Sequence, residues 1–337
     1  MNVPEGIAED ASGNTYFFEA LTSIIRKLDS AGHLSLFSGT PFVTGGAAAQ
    51  VGKTSASVLL NGDSYNSGYQ FPMVYDDANA RLIVGEGSSG DILYLPISAS
   101  QTVSMLTPSN SLPANTITSS DLSHLSESSD KNAWPIFDLH LNGSQLIAER
   151  ILTVVPFRTQ IISYSGGVAA PFLGNEWTPF SLNNTGAATT YTGAPTSIAL
   201  AYSQPMALLN GVPYLSNNGG TLVSNGSAVS QLSGVTSFFT AFDMTTDAAN
   251  NKFMIGVNGN TMRGLVLYPD GSVKSYDLCM PGSFPSAVFV KMSRDGNSLL
   301  ISDTKQRRVL RYYLRSNNAI HLFQKPTSGT ACVPITL

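Results

Sequence analysis

"VPEGIAEDASGNTYFFEA" occupies residues 3–20. Two short apolar runs, Gly6-Ile7-Ala8 and Tyr16-Phe17-Phe18, flank the turn residues Ser12-Gly13-Asn14, the pattern of a β-hairpin. The second run ends on an acid, Glu19. A third run, Ile24 to Leu28, the turn Ser30-Ala31-Gly32 and a fourth run, Leu34 to Phe37, complete a four-strand meander. The same grammar returns near the end of the chain, where Val288-Phe289-Val290, Asp295-Gly296-Asn297, Leu299 to Asp303, Arg308 to Tyr312, Asn317-Asn318 and Ile320 to Phe323 follow in the same order. The stretch is therefore one copy of a repeat, and self-similar copies begin near Pro4, Pro72, Pro135, Pro195, Phe239 and Pro285.

A lone four-strand sheet leaves both of its apolar faces in water. Sheets set radially around an axis cover one another, which is the packing solution of a β-propeller. No stretch carries a sustained 3.6-residue apolar period, so helix content is expected to be small. The sequence thus predicts an all-β, six-bladed β-propeller with four-stranded antiparallel blades, one domain over residues 1–337. Its blades fall near 4–70, 71–134, 135–194, 195–237, 238–283 and 284–330.

"PEGIAEDASGNTYFFEA" and "DGNSLLISDTKQRRVLRYYL" resemble the NHL-repeat pattern, with its Pro-x-Gly-Ile-Ala start, its Gly-Asn turn and a strand ending in Asp before a short basic loop. The likeness is carried by the first and last copies and by Val266 to Gly271, and it is looser in the third and fourth copies. It implies a six-bladed propeller, the count that the repeat itself suggests.

Composition narrows the function. Charged residues make up 12% of the chain, against roughly 25% in ordinary domains, with a net charge of -4. No broad basic field exists for nucleic acid or anionic membranes. Apolar runs such as Ile198 to Ala201 fall far short of the roughly 20 residues that span a bilayer, so a soluble protein with no membrane span is expected. No basic start followed by an apolar stretch marks a signal peptide, yet low charge and abundant Ser, Thr and Asn favour a secreted, periplasmic or cell-surface protein. Sequons stand at Asn142, Asn183 and Asn225. Cys279 and Cys332 are compatible with one disulfide or with two buried thiols, and no Cys-x-x-Cys supports a zinc site.

The copies differ in spacing. Surplus residues follow the fourth strand of the first three copies, near 40–69, 107–133 and 173–194, and all three insertions should emerge on one face. Long loops on a rigid scaffold are where binding concentrates. They carry Tyr65, Tyr69, Trp177 and Tyr191, with Trp134 at the entry to the third blade, rings that suit a glycan or protein partner. Residues 119–125 could open a short helix capped by Ser or Asp. On the same face the ends of the second strands align as Glu19, Glu86, Glu149, Asn210, Asn258 and Asp303. Such a partial acidic ring suits a hard cation such as Ca²⁺, which takes six to eight oxygens; the alternative is that each acid caps its own turn.

Other chemistry is less well supported. In "GGAAAQVGKTS" the glycine that a phosphate loop needs is replaced by Ala47, and Lys53 reads as a solvated side chain. His33, His124, His140 and His321 are scattered; only His140, on the first strand of the third copy with Asp138 beside it, should approach the channel. The blade plan also resembles gluconolactonase-like and strictosidine-synthase-like propellers. The gluconolactonase likeness implies a cation held by Glu, Asn and Asp, to which Glu5 would answer; Met73, Ile136, Thr196 and Ser286 supply no matching partners. Peptide-amidating lyase propellers need metal-binding histidines that are not evident. The leading expectation is a non-catalytic recognition propeller for a protein or glycan. The alternative is a metal-dependent small-molecule hydrolase or lyase using Glu5, Glu86, Glu149 or His140.

Overall fold

The computed structural model describes residues 3–61, 71–86, 89–112, 136–152, 158–173, 206–217, 220–224, 228–231, 240–246, 252–258, 261–277, 288–303, 307–313 and 318–321. These form six four-stranded sheets in which neighbouring strands run antiparallel. The first holds β1 (Pro4–Glu9), β2 (Thr15–Glu19), β3 (Ile24–Leu28) and β4 (Leu34–Ser38). The second holds β5 (Met73–Asp76), β6 (Arg81–Gly85), β7 (Ile92–Pro96) and β8 (Ser104–Met105). The third holds β9 (Ile136–Asn142), β10 (Gln145–Leu152), β11 (Arg158–Ser165) and β12 (Val168–Leu173). The fourth holds β13 (Met206–Leu209), β14 (Val212–Asn217), β15 (Gly220–Ser224) and β16 (Val229–Gln231). The fifth holds β17 (Thr240–Thr246), β18 (Lys252–Asn258), β19 (Thr261–Leu267) and β20 (Val273–Asp277). The sixth holds β21 (Val288–Met292), β22 (Ser298–Asp303), β23 (Arg308–Tyr313) and β24 (Asn318–His321).

Each first strand touches the first strand of the next sheet, and β21 touches β1, so the order is cyclic. The chain is an all-β propeller with four-stranded antiparallel blades. Strand periodicity explains the packing, because alternate side chains serve opposite neighbours. Phe18 faces the second sheet, where its ring stacks on Phe71 at 3.7 Å, while Phe17 joins Leu300 and Val309 of the sixth. Ile83 packs with Ile136 and Leu139 of the third sheet, whereas Leu82 and Val84 pack back towards the first. Ile147 and Ile161 meet Met206 of the fourth sheet, and Ala207 and Tyr214 meet Met254 of the fifth. Among the described residues, these cores lie between two blades rather than within one.

Charge reinforces the junction of the sixth, first and second sheets. Glu9 accepts the Arg294 backbone N–H at 3.0 Å and pairs with Arg311, while Arg294 pairs with Asp77. Close backbone approach matters at Gly6, where a Cβ would collide with the Phe71 carbonyl oxygen.

The first insertion, as far as residue 61, is a packed strap. Two 3₁₀ turns, Ala47–Gln50 and Ser55–Ser57, lead Val58 and Leu60 into the core between the first two sheets. Ser38 donates to the Ser55 carbonyl at 2.6 Å and Ser55 to the Pro96 carbonyl at 2.7 Å, which ties β4 to β7. Lys53, read as a solvated decoration, donates to Gln50 Oε1 at 2.8 Å, and the same oxygen accepts Leu59 N–H at 2.9 Å. The start of the second insertion is also anchored: Asn110 exchanges two 2.8 Å hydrogen bonds with the Ala169 backbone on β12.

Candidate functional site

Three ionisable residues of the inner strands, Asp138 and His140 on β9 and Lys291 on β21, come together. On β9, Asp138 and His140 stand two residues apart and share a face. His140 Nε2 lies 2.9 Å from Asp138 Oδ2. Asp138 Oδ1 accepts Leu139 N–H at 2.8 Å, and Oδ2 accepts Met206 N–H from the fourth sheet at 3.2 Å. From β21 of the sixth sheet, Lys291 Nζ donates to Asp138 Oδ1 and to the Leu139 carbonyl, both at 3.3 Å. The third and sixth sheets are three places apart in either direction around the ring, so this lysine reaches across the axis. Its target is buried: Asp138 and His140 are each 7% exposed.

Electrostatics fix the ionic state. Burial pushes the Asp138 carboxyl up, but the His140 and Lys291 charges, with hydrogen bonds from His140 and the Leu139 N–H, outweigh it and hold the group well below the usual carboxylate range. Asp138 is thus an anion; in the neutral form of the His140 ring, the hydrogen bond to this carboxylate assigns the one ring proton to Nε2. Nδ1 then carries the lone pair and has no hydrogen-bond partner among the described residues. An imidazole oriented by a buried carboxylate, with a second nitrogen open and an ammonium group alongside, is equipped to move a proton and to stabilise an oxyanion.

The acids expected from the alignment take different local partners. Glu19 ends β2 and pairs with Arg26 at 3.3 Å; Asp303 ends β22 and pairs with Arg308 at 2.8 Å. Glu86 follows β6, where its Oε1 accepts Asn61 N–H and its Oε2 the Ser89 hydroxyl. Burial pushes the Glu86 carboxyl up to about 7, with Asp91 adding to the effect and those two hydrogen bonds opposing it. Glu149 lies inside β10, opposite Asp138, rather than at a strand end. Asn210 occupies the tight turn between β13 and β14 with φ of 50°, because the fourth sheet starts later than the alignment assumed. Glu5 sits at the bulge of β1, 4% exposed. Calcium would need a shell of about six to eight oxygens. Arginines hold Glu19 and Asp303, and a lysine and a histidine hold Asp138. Among the described residues, no three His, Cys, Asp or Glu side chains gather closely enough for an ion.

Tyr65, Tyr69, Trp134, Trp177 and Tyr191 lie outside the described residues, as do His124, the helix expected over 119–125, and Cys279 and Cys332. Among the described residues no helix is long and apolar enough to cross a membrane.

No protein-family model matches the chain, that of the NHL repeat included, and no curated protein sequence matches it. Solved structures do match in shape. The chain resembles a propeller assigned as a gluconolactonase, with 11% identity and a TM-score of 0.51, over 90% of this chain and 86% of that one. Virginiamycin B lyase from Staphylococcus aureus shows 10% identity and a TM-score of 0.49, over 98% and 86% of the two chains. Regucalcin from Agrobacterium tumefaciens, described as a calcium-binding protein, shows 10% and 0.49, over 89% and 82%. Likeness at this identity concerns the fold. The propeller is what these proteins share.

Proposed function

We propose that this protein is a small-molecule hydrolase or lyase that works in the axial channel, with His140 as its general base. The observation that carries the reading is the contact between His140 Nε2 and the buried Asp138 carboxylate, which leaves Nδ1 as the basic nitrogen. The reading takes the six sheets as six blades of a closed wheel, divided near the limits expected from the repeat. Nδ1 would remove a proton either from water attacking a carbonyl carbon or from a carbon next to a carbonyl, and would return it to the departing oxygen. Lys291, with two of its three N–H groups engaged by Asp138 and Leu139, would offer the third to the developing oxyanion. No step is routed through a metal. The low charge and the Ser/Thr/Asn-rich composition fit an exported enzyme.

The competing recognition reading depends on rings outside the described residues, and the described part of the first insertion serves to strap two blades together. The enzymatic reading is tested by assaying the purified chain on a panel of lactones and aryl esters across pH 5 to 9. Turnover should depend on the imidazole, and His140→Gln should lower it by about 10²–10⁴ with the melting temperature nearly unchanged. A panel without turnover, or turnover indifferent to His140→Gln, contradicts the reading.

A further inference from the structure

A cleft of ≈ 220 Å³ lies between the second and third sheets, lined by residues other than Asp138, His140 and Lys291. Three hairpin turns frame it: β5–β6 with Asp76 and Asn79, β9–β10 with Gly143 and Ser144, and β11–β12 with Gly166 and Gly167. These glycines have φ of 60°, 56° and 81°, and a Cβ on any of them would meet no atom within 4 Å. The turn conformation explains the glycines, and the entrance they leave is open.

The lining is mixed: Ile83 and Leu106 on one side and Leu141 and Leu146 on the other supply apolar wall, beside the polar side chains of Asp76, Asn79, Ser144 and Tyr94. One cation stands among them. The Arg81 guanidinium lies 3.9 Å from the centroid of the Tyr94 ring, and its Nε donates to Asp76 Oδ2 at 2.8 Å. Asp76 is itself fastened by Asn79, whose backbone N–H reaches Oδ1 at 3.3 Å and whose Nδ2 reaches Oδ2 at 2.8 Å. Stacking and the Nε bond therefore fix the guanidinium plane. Its terminal nitrogens, Nη1 and Nη2, find no acceptor among the described residues.

We propose that this cleft binds a small carboxylate with a short hydrocarbon part. Its two oxygens are taken by the Nη1 and Nη2 fork of Arg81, and its hydrocarbon part lies between the leucine and isoleucine walls. A preformed planar fork is the group that recognises a carboxylate bidentately. Asp76 is already committed to Asn79 and Arg81, so the cation with free N–H groups is the feature that selects an anionic ligand. One arginine, offset by Asp76, is too little charge for a polyphosphate. The volume lies below the roughly 300–1,000 Å³ of drug-sized sites, so the ligand is a fragment of a ring or a short chain.

Phenylacetate is a suitable probe, titrated into the full chain by calorimetry or saturation-transfer NMR beside methyl phenylacetate and glucose. Phenylacetate should bind at millimolar concentration, and neither neutral compound should. Arg81→Lys should weaken binding by at least about tenfold, because a lysine neither forks nor stacks in the same way. Should Arg81→Lys disturb folding, Leu141→Trp, which fills the cleft from the far wall, should abolish binding with Arg81 intact. No binding of phenylacetate to the unmodified chain, equal binding of its methyl ester, preference for glucose, or unchanged affinity in Arg81→Lys or Leu141→Trp would each overturn the proposal.

Discussion

Glu86→Gln isolates the effect of one buried carboxyl on the stability of the wheel. Glu86 is fully buried, and its carboxyl is pushed from the ordinary 4.5 up to about 7. Because the folded-state value is raised, the folded chain holds a proton that the unfolded chain has given up. The stability this contributes is fully present below pH 4.5 and is lost as pH rises through 7. At roughly 1.4 kcal/mol per pH unit, the whole effect is about 3 kcal/mol above pH 8. Glutamine imitates the protonated acid: its oxygen can still accept Asn61 N–H, and its amide can donate to the Ser89 hydroxyl. The variant should therefore match the native chain within about 1 kcal/mol at pH 4.5 and exceed it by about 3 kcal/mol at pH 8.5. For 337 residues that difference corresponds to about 4 °C in melting temperature. Thermal melts of both proteins across pH 4 to 9 provide the assay. Parallel curves would show that the Glu86 carboxyl titrates normally and would refute the reasoning.

Three further outcomes are expected. Gly6→Ala drives a methyl group into the Phe71 carbonyl oxygen at the junction of the first two sheets, and chemical denaturation should show a loss of about 3 kcal/mol or the chain should fail to fold. Arg308→Ala takes from Asp303, whose side chain is 0% exposed, its 2.8 Å arginine partner; the same assay should register a loss of about 3 kcal/mol. Melting in calcium and then in chelator should give one midpoint, whereas a rise of several degrees with calcium would reveal a cage built from residues other than the described carboxylates.

The blade plan was legible because strand packing is local. Phe17 and Phe18 serve opposite neighbours through a period of two, and turns such as Asp295-Gly296-Asn297 mark where the chain reverses. The acids were legible as residues but not as pairs. Glu19 and Asp303 looked like open ligands because Arg26 and Arg308 lie one strand further along, where only the antiparallel register brings them back. His140 beside Asp138 could be seen in the sequence. Lys291 could not be joined to them, being 153 residues from Asp138 in the chain; its one signal was a cation inside the apolar inner strand Val288–Met292. The strap at residues 40–61 looked like a polar loop because its buried residues, Ala47, Val58 and Leu60, follow no strand or helix period.

A double-mutant cycle on Asp138→Asn and Lys291→Met tests most directly whether opposite sheets meet across a shared axis. If they do, the two substitutions will couple by about 1–3 kcal/mol in unfolding free energy. If the two losses add to within about 0.3–0.5 kcal/mol, the lysine does not reach the aspartate, and both the axial arrangement and the channel site built on it are wrong.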